Sequence, residues 1–309
     1  MAKPQKNRIL KMKRSRWILL VCLAVLPLLA AKRGVPPIQN GLPGDPVAGA
    51  RIYQNWIIAL DVRPPEGDQP LWGEQDSNER SGDVTWRCKE CHGWDYKGSE
   101  GAFGPSSIRY TGFPSLEGSV GSSQEEVLAW LDGSNNPQHN FLEITNANAL
   151  NDVAVFLRTM QADLALVIDY ETGEALGNEN SGAELYASAC EECHGSTGRR
   201  INFSAAGSPL YIGDLASVDP WKSAHAIRFG SVLGDMPGSE ELGWSLGKVA
   251  DVIAYSQTLP RGNPNFAIFQ EVPDEVIARQ GETDPMLWLA AAILSVIAGG
   301  LVWGELRKR

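Results

Sequence analysis

The sequence predicts an all-α protein made of two tandem helical domains, with an apolar helix near each end of the chain. Two observations lead to this fold class. A set of landmarks occurs twice in the same order, about 100 residues apart. Two uncharged apolar runs occupy residues 17–31 and 286–303. The predicted segments are a signal peptide or N-terminal membrane anchor at 1–33, a first domain at 46–162 with an insertion at about 57–85, an inter-domain connection at 163–180, a second domain at 181–261, a linker at 262–285 and a transmembrane helix at 286–304.

The N-terminal apolar run follows a basic stretch and is short. A helix over residues 17–31 would span about 22 Å, whereas the hydrocarbon core of a bilayer is about 30 Å thick. A basic start followed by a short apolar run is typical of a secretion signal. However, Leu28 or Leu29 at the position read by the signal peptidase is poorly suited to cleavage. We therefore expect either a cleaved signal or a retained anchor.

The C-terminal apolar run is longer and is flanked by charges. Residues 286–303 are 18 consecutive uncharged residues, and the chain ends in the basic triplet 307–309. This pattern favours a transmembrane helix over a buried core helix. Because basic residues stay on the cytoplasmic side, both chain ends are expected in the cytoplasm and the body of the protein outside it.

The charge distribution limits the classes of binding partner. The net charge is -10, but residues 1–33 carry nine Lys and Arg and no acidic residue. Residues 34–303 carry 15 basic and 36 acidic residues, a net charge of -21. Nucleic-acid binding needs clustered Lys and Arg, so this body is not expected to bind nucleic acid.

The residue pattern predicts a small set of helices in each domain and one short hairpin between the domains. Residues 165–177 alternate apolar and polar side chains around a Thr-Gly pair, which is typical of a short hairpin. The predicted helices lie near 46–60, 83–92, 123–132 and 148–161 in the first domain, and near 181–193, 220–229 and 246–258 in the second.

The repeated landmarks relate the two domains residue by residue. Each landmark has the same length in both copies, so the two copies of a landmark align without a gap. The pairs are 49–56 with 182–189, Cys88 with Cys190, 132–134 with 229–231, and 151–160 with 250–259. Four landmarks in one order indicate a duplicated domain.

Four of the five cysteines lie in two motifs of the same pattern, C-x-x-C-H. The motifs are CKECH at 88–92 and CEECH at 190–194. An even number of cysteines in an exported chain would normally suggest disulfides, but a histidine directly after each pair is typical of covalent haem attachment. A redox-active dithiol or half of a zinc site is the alternative for a single motif. Two copies in register with repeated helices argue against that alternative.

Each half resembles a class I c-type cytochrome domain, over roughly residues 46–261. The first half departs from the family pattern by its insertion at about 57–85. In the second half the resemblance is carried by Gly182, Leu185, Tyr186, CEECH, Pro209-Leu210, Met236-Pro237 and Tyr255. The resemblance implies two covalently bound haem c groups, attached through Cys88, Cys91, Cys190 and Cys193, with His92 and His194 as iron ligands.

The sixth iron ligands are expected to differ between the two halves. Met236 lies where the family carries its methionine ligand, and the repeat aligns His139 with it. The chain has five methionines, and none lies between Cys91 and the last helix of the first domain. We therefore predict His92 and His139 on the first iron, and His194 and Met236 on the second. A surface role is the alternative for His139, and a helix-face or haem-edge role is expected for His225.

Together these features predict a membrane-anchored dihaem c-type cytochrome that transfers single electrons. The expected location is the bacterial cytoplasmic membrane, with the haem domains on the periplasmic side and the C-terminus in the cytoplasm. The expected partners are the membrane and redox proteins with a basic docking surface, since the body is acidic. Two alternatives remain open: a haem-bearing subunit of a larger membrane oxidoreductase, and a dihaem enzyme, which would need an iron with an open coordination site.

Overall fold

The computed structural model describes residues 44–204 and 209–262. We call residues 44–162 the first half and the described part of 163–262 the second half. The first half contains α1 (Pro46–Ala59), α2 (Cys88–His92), α3 (Gln124–Leu131) and α4 (Ala147–Thr159). The second contains α5 (Glu179–Ala189), α6 (Glu191–His194), α7 (Ile212–Val218), α8 (Pro220–Phe229) and α9 (Leu246–Thr258). Four of the short 3-10 helices span Pro70–Glu74, Gly82–Trp86, Pro137–His139 and Ser239–Leu242.

The all-α class is confirmed for the described residues, where the β-structure consists of two isolated bridges. One bridge joins Ile168 to Ala175, inside the segment predicted to form a hairpin. The predicted helix at 83–92 is interrupted at Arg87, whose backbone is extended. Helix α7 was not predicted from the sequence.

Polar side chains at the first residue before each long helix explain where the helices begin. Asp45 accepts hydrogen bonds from the backbone of Val47 and Ala48, and Ser123 forms a reciprocal capping box with Glu126. Such caps satisfy backbone N–H groups that have no partner within the helix. The same role falls to Asn146, Asn178, Asp219 and Ser245.

In each half the first and last long helices cross at a glycine. Helix α1 packs on α4, and α5 packs on α9. A Cβ atom at Gly49 would lie 2.1 Å from the carbonyl oxygen of Asp152, and one at Gly182 would lie 1.9 Å from that of Asp251. No side chain fits at either crossing, so glycine allows the two backbones to touch.

The two halves share their hydrophobic cores. The cluster formed by α1, α3 and α4 also contains Phe229 from α8 of the second half. The second cluster joins Trp94 and Phe103 of the first half to Trp221 and Ile253 of the second. The halves therefore pack against each other through buried apolar side chains.

The insertion at 57–85 has its own ordered structure. Trp72 is buried and donates from its indole nitrogen to the carbonyl of Arg80, at 2.8 Å. The backbone nitrogen of Gln69 donates to the hydroxyl of Thr85, at 2.9 Å. These bonds hold the 3-10 helix Pro70–Glu74 against the segment that leads into α2.

Several predicted segments lie outside the described residues. They are the signal or anchor at 1–33, nearly all of the linker at 262–285 and the transmembrane helix at 286–304. Among residues 44–204 and 209–262, none of the helices combines the length and apolar character that a membrane span requires.

Candidate functional site

The first C-x-x-C-H motif forms the short helix α2 and is held on both sides by α1. Tyr53 donates from its hydroxyl to the carbonyl of Gly93, at 2.6 Å, and Trp56 donates from its indole to the carbonyl of Trp86, at 2.9 Å. Gly93 ends the helix with φ of 74°, a conformation that favours glycine. The motif is thereby fixed at its two ends by two aromatic side chains of one helix.

The second motif is held in the same way. Tyr186 of α5 donates to the carbonyl of Gly195, at 2.9 Å, and Gly195 ends α6 with φ of 77°. Tyr53 and Tyr186 occupy the same place in the repeated segments 49–56 and 182–189. The repeat seen in the sequence therefore extends to the hydrogen bonds that support both motifs.

The four cysteines of the motifs form no disulfide. Burial raises the pKa of Cys88 to about 12 and that of Cys190 to about 11. This shift is opposite to the lowered thiol pKa that a reactive cysteine of a redox-active C-x-x-C pair has. Across the described parts of the chain, no group of three or more His, Cys, Asp or Glu side chains is arranged to hold a metal ion.

His92 and His139 face each other in the first half. Their ring centroids are 6.4 Å apart and the rings are nearly perpendicular, at 77°. The Nδ1 atom of His92 lies 2.9 Å from the carbonyl of Pro114, and that of His139 lies 2.8 Å from the carbonyl of Trp130. Because a carbonyl only accepts, each Nδ1 carries the proton and each Nε2 keeps a free lone pair.

The distance between the two rings is the quantity to compare with a site for a haem iron. Two imidazoles on opposite sides of one metal, each at a bond length of about 2 Å, place their ring centroids about 6 Å apart. The Nδ1 bonds to carbonyls are those that orient metal-binding histidines and set their tautomer. Burial also lowers the pKa of His92 to about 4, which favours the neutral imidazole that binds metal.

The loop that carries His139 is held by contacts from outside it. It leaves α3 at Gly133, where φ is 83°, and its ends are joined by the bridge between Asp132 and Asn140. Gln69 of the insertion donates from its side-chain amide to the carbonyl of Gln138, at 2.7 Å. The insertion thus supports the residue next to His139.

The second half places its candidate ligands differently. His194 is buried, and its ring lies 6.2 Å from that of Phe203. Its Nδ1 has no hydrogen-bond partner within the described residues, in contrast to that of His92. Met236 is partly buried in the loop that follows α8, and its carbonyl accepts from the backbone of Ser231, at 3.3 Å.

Both ring nitrogens of His225 take part in hydrogen bonds, so neither is free to bind iron. It lies buried between the halves, where its Nε2 donates to the carbonyl of Ala50, at 3.1 Å. Its Nδ1 lies 3.0 Å from the hydroxyl of Tyr96 and accepts from it. His225 thus lies on a face of α8, as predicted, and this face packs against the first half of the protein.

Sequence reasoning missed the residues that support the ligands. Pro114 and Trp130 accept hydrogen bonds with their backbone carbonyls, and Gln69 donates to the carbonyl of Gln138. Every residue has a backbone carbonyl, so the sequence does not indicate which of them accept. Tyr186 was named from the sequence as part of the family pattern, and Tyr53 stands at the same distance from its landmark glycine. Only their hydrogen bonds to Gly93 and Gly195 were not predicted.

Comparison with protein families matches residues 177–255 to cytochrome c oxidase, cbb3-type, subunit III. The matched segment runs from just before α5 into the last turn of α9. It supports a c-type cytochrome, which implies covalently bound haem c and haem-based electron transfer. No curated protein and no solved structure matches the chain.

Proposed function

We propose that this protein is a dihaem electron carrier, with one haem c at each C-x-x-C-H motif. The observation that carries the proposal is the repeated support of the motifs, in which Tyr53 and Tyr186 donate to Gly93 and Gly195. The first half lies outside the matched family segment, yet it contains the same hydrogen bond and the same helix crossing as the second. Both halves are therefore proposed to hold haem in the same way.

The proposed attachment residues are the four motif cysteines, and the proposed iron ligands follow from the geometry of the loops. His92 and His139 are assigned to the first iron, supported by their facing rings. His194 and Met236 are assigned to the second, supported by the position of Met236 in the loop that corresponds to that of His139. Each haem would supply a one-electron change between its ferric and ferrous states.

The different ligand sets are proposed to give the electrons a direction. A methionine ligand raises the reduction potential of a haem relative to a second histidine. Electrons would then pass from the first haem to the second. A titration that finds a single midpoint for the holoprotein would contradict this assignment.

The proposed partner is a redox protein with a basic docking surface. Residues 34–303 carry a net charge of -21, and opposite charges steer two proteins together at low ionic strength. The association rate is therefore expected to fall as salt is added. We propose that the chain is anchored in the bacterial cytoplasmic membrane and that the haem domains lie on its periplasmic side.

A second candidate function is that of a haem-bearing subunit in a larger membrane oxidoreductase. The observation that favours it is the family match, which is named for a subunit of an oxidase. Purification of the full chain in mild detergent distinguishes the two functions. Stoichiometric co-purifying membrane proteins support the subunit, and a homogeneous chain that still exchanges electrons with a soluble redox protein supports the carrier.

Catalysis by the chain alone is the third candidate and requires an accessible iron. The opposed rings of His92 and His139 argue against an open site on the first iron. Carbon monoxide added to the reduced holoprotein tests this directly. A rapid spectral change at the first haem would favour an enzyme.

Haem counting tests the proposal as a whole. The wild-type holoprotein is expected to carry two haems per chain, measured by intact mass and by the haem absorbance of the denatured protein. Replacing Cys88 and Cys91 with serine should remove one haem, and replacing Cys190 and Cys193 should remove the other. One haem in the wild type, or a double variant that keeps both, would refute the dihaem assignment.

A further inference from the structure

The loop that carries Met236 is held at its start by a side chain of the other half. We call residues 230–238 the methionine loop. Arg51 of α1 donates from Nε to the carbonyl of Phe229, the last residue before the loop, at 2.9 Å. The same guanidinium lies 3.7 Å from the carboxylate of Glu241, shortly after the loop. One arginine of the first half therefore contacts both sides of the methionine loop.

The backbone of Met236 lies close to Gly230, the residue after Phe229. Gly230 has φ of 79°, and a Cβ there would lie 2.3 Å from the carbonyl oxygen of Met236 and 3.2 Å from Nη2 of Arg51. Gly238 is equally close to the end of α8, since its Cβ would lie 2.6 Å from the carbonyl oxygen of Arg228. Both ends of the methionine loop therefore lie at the C-terminal end of α8, next to the carbonyl of Phe229 that accepts from Arg51.

Helix α8 itself is fixed to α1 one residue away from Arg51. His225 is 2 % exposed, and its Nε2 donates to the carbonyl of Ala50. Phe229 packs in the core that α1 and α4 form. Arg228 adds a further link between the halves, because its Nη2 donates to the carbonyl of Met160, at 3.0 Å.

We infer that α1 of the first half positions the sixth ligand of the second iron, with Arg51 and His225 as the positioning residues. This inference rests on the proposed function, because it takes Met236 to be an iron ligand. Neither Arg51 nor His225 touches the iron; both act through α8 and the methionine loop. Groups of this kind control how firmly a ligand is presented to its metal. A change in the packing of α1 would therefore alter the bond between Met236 and the second iron, and with it the reduction potential of the second haem.

The test compares two arginine variants of the holoprotein. Arg51→Met removes the donor to Phe229 and keeps much of the aliphatic side chain. Arg158→Met is the matched control, since Arg158 donates from Nε to the carbonyl of Ser122, at 2.7 Å, entirely within the first half. Two readouts are followed: the absorption band of the methionine–ferric iron bond, and the affinity of the second haem for added imidazole.

We expect Arg51→Met to weaken the methionine band and to raise the imidazole affinity of the second haem about fivefold, which is the equilibrium effect of one net hydrogen bond. Arg158→Met should leave both readouts at their wild-type values. The spectrum of the first haem serves as an internal control for folding. A merely structural loss would alter both haems, whereas the inferred role alters only the second.

Variants of His225 provide an independent test should Arg51→Met not fold. His225→Gln keeps a donor for the carbonyl of Ala50, and His225→Phe keeps none. The imidazole affinity of the second haem is expected to rise from wild type to the glutamine variant and again to the phenylalanine variant. Equal affinities in all three proteins would overturn the inference.

The outcomes separate this inference from the proposed function. A wild-type holoprotein with two haems and a methionine band, in which Arg51→Met behaves like Arg158→Met, overturns the inference and leaves the function standing. A wild-type protein with two haems and no methionine band removes Met236 as a ligand and overturns the inference with it.

Discussion

The imidazole of His139 faces that of His92 across 6.4 Å, although the two residues are 47 positions apart in the chain. Each ring donates its Nδ1 proton to a backbone carbonyl and turns its Nε2 lone pair away from that bond. The centroid distance is close to that expected for two imidazoles that bind one metal from opposite sides. The pair is the structural basis for assigning both histidines to the first iron.

Exchanging the proposed sixth ligands should move one potential at a time. His139→Met should raise the lower midpoint on the order of 0.1 V, a fraction of the range of about 0.8 V that axial ligands cover. Met236→His is the reciprocal variant and should lower the upper midpoint by a similar amount. Redox titration with optical detection measures both. A His139 variant that leaves both midpoints unchanged would remove this residue from the iron.

The glycine at the crossing of α5 and α9 should not tolerate a side chain. A Cβ at Gly182 would lie 1.9 Å from the carbonyl oxygen of Asp251, so Gly182→Ala should destabilise the protein by about 1–3 kcal/mol. Alanine is otherwise the better helix former, which makes the sign of the effect diagnostic. Gly247→Ala in α9 is the control, since the nearest atom to its Cβ would be 3.8 Å away. Urea unfolding should show destabilisation for Gly182→Ala alone; equal effects would argue against the close crossing.

Loss of the insertion's contact should make the first iron more accessible. Gln69→Ala removes the donor to Gln138 O, next to His139. We expect the affinity of the first haem for added imidazole to rise about fivefold, because about one net hydrogen bond is lost. Gln75→Ala is the matched control, since Gln75 makes the same type of bond to the carbonyl of Asn78 inside the insertion. Identical affinities for the two variants would show that the insertion does not support the His139 loop.

Stability should depend on pH through His225. Burial lowers the pKa of His225 to about 3, from an ordinary value of 6.5, and the nearby charge of Arg228 acts in the same direction. The unfolded chain therefore binds the proton first as the pH falls. The contribution of His225 is complete above about pH 6.5 and is lost progressively between pH 6.5 and 3, by up to about 1.4 kcal/mol per pH unit.

Urea unfolding at several pH values measures this contribution. The free energy of unfolding of the wild type should fall more steeply between pH 6.5 and 4 than that of His225→Gln. The difference between the two slopes isolates His225, because the other buried histidines are common to both proteins. Parallel slopes would show that His225 takes up its proton equally in the folded and unfolded states.

Much of the local structure could be predicted from the sequence. The long helices α1, α3, α4, α5, α8 and α9 lie where their residue patterns indicated, and their starts coincide with Asp, Asn or Ser caps. Local signals of this kind depend on neighbouring residues only. Helix α7 and the 3-10 helix Pro70–Glu74 were missed, since each is short and is stabilised by contacts with distant segments.

The sequence alone indicated the chemistry of the two motifs, because C-x-x-C-H places its thiols and imidazole within five consecutive residues. The repeat then paired Met236 with His139, and their roles as iron ligands remain predictions. Only the tertiary structure decided how the halves meet. Arg51 and Phe229 are 178 residues apart, and no periodicity or spacing relates them. Contacts between distant segments depend on the packing of whole helices, so the contact of Arg51 with the end of α8 becomes visible only in the folded protein.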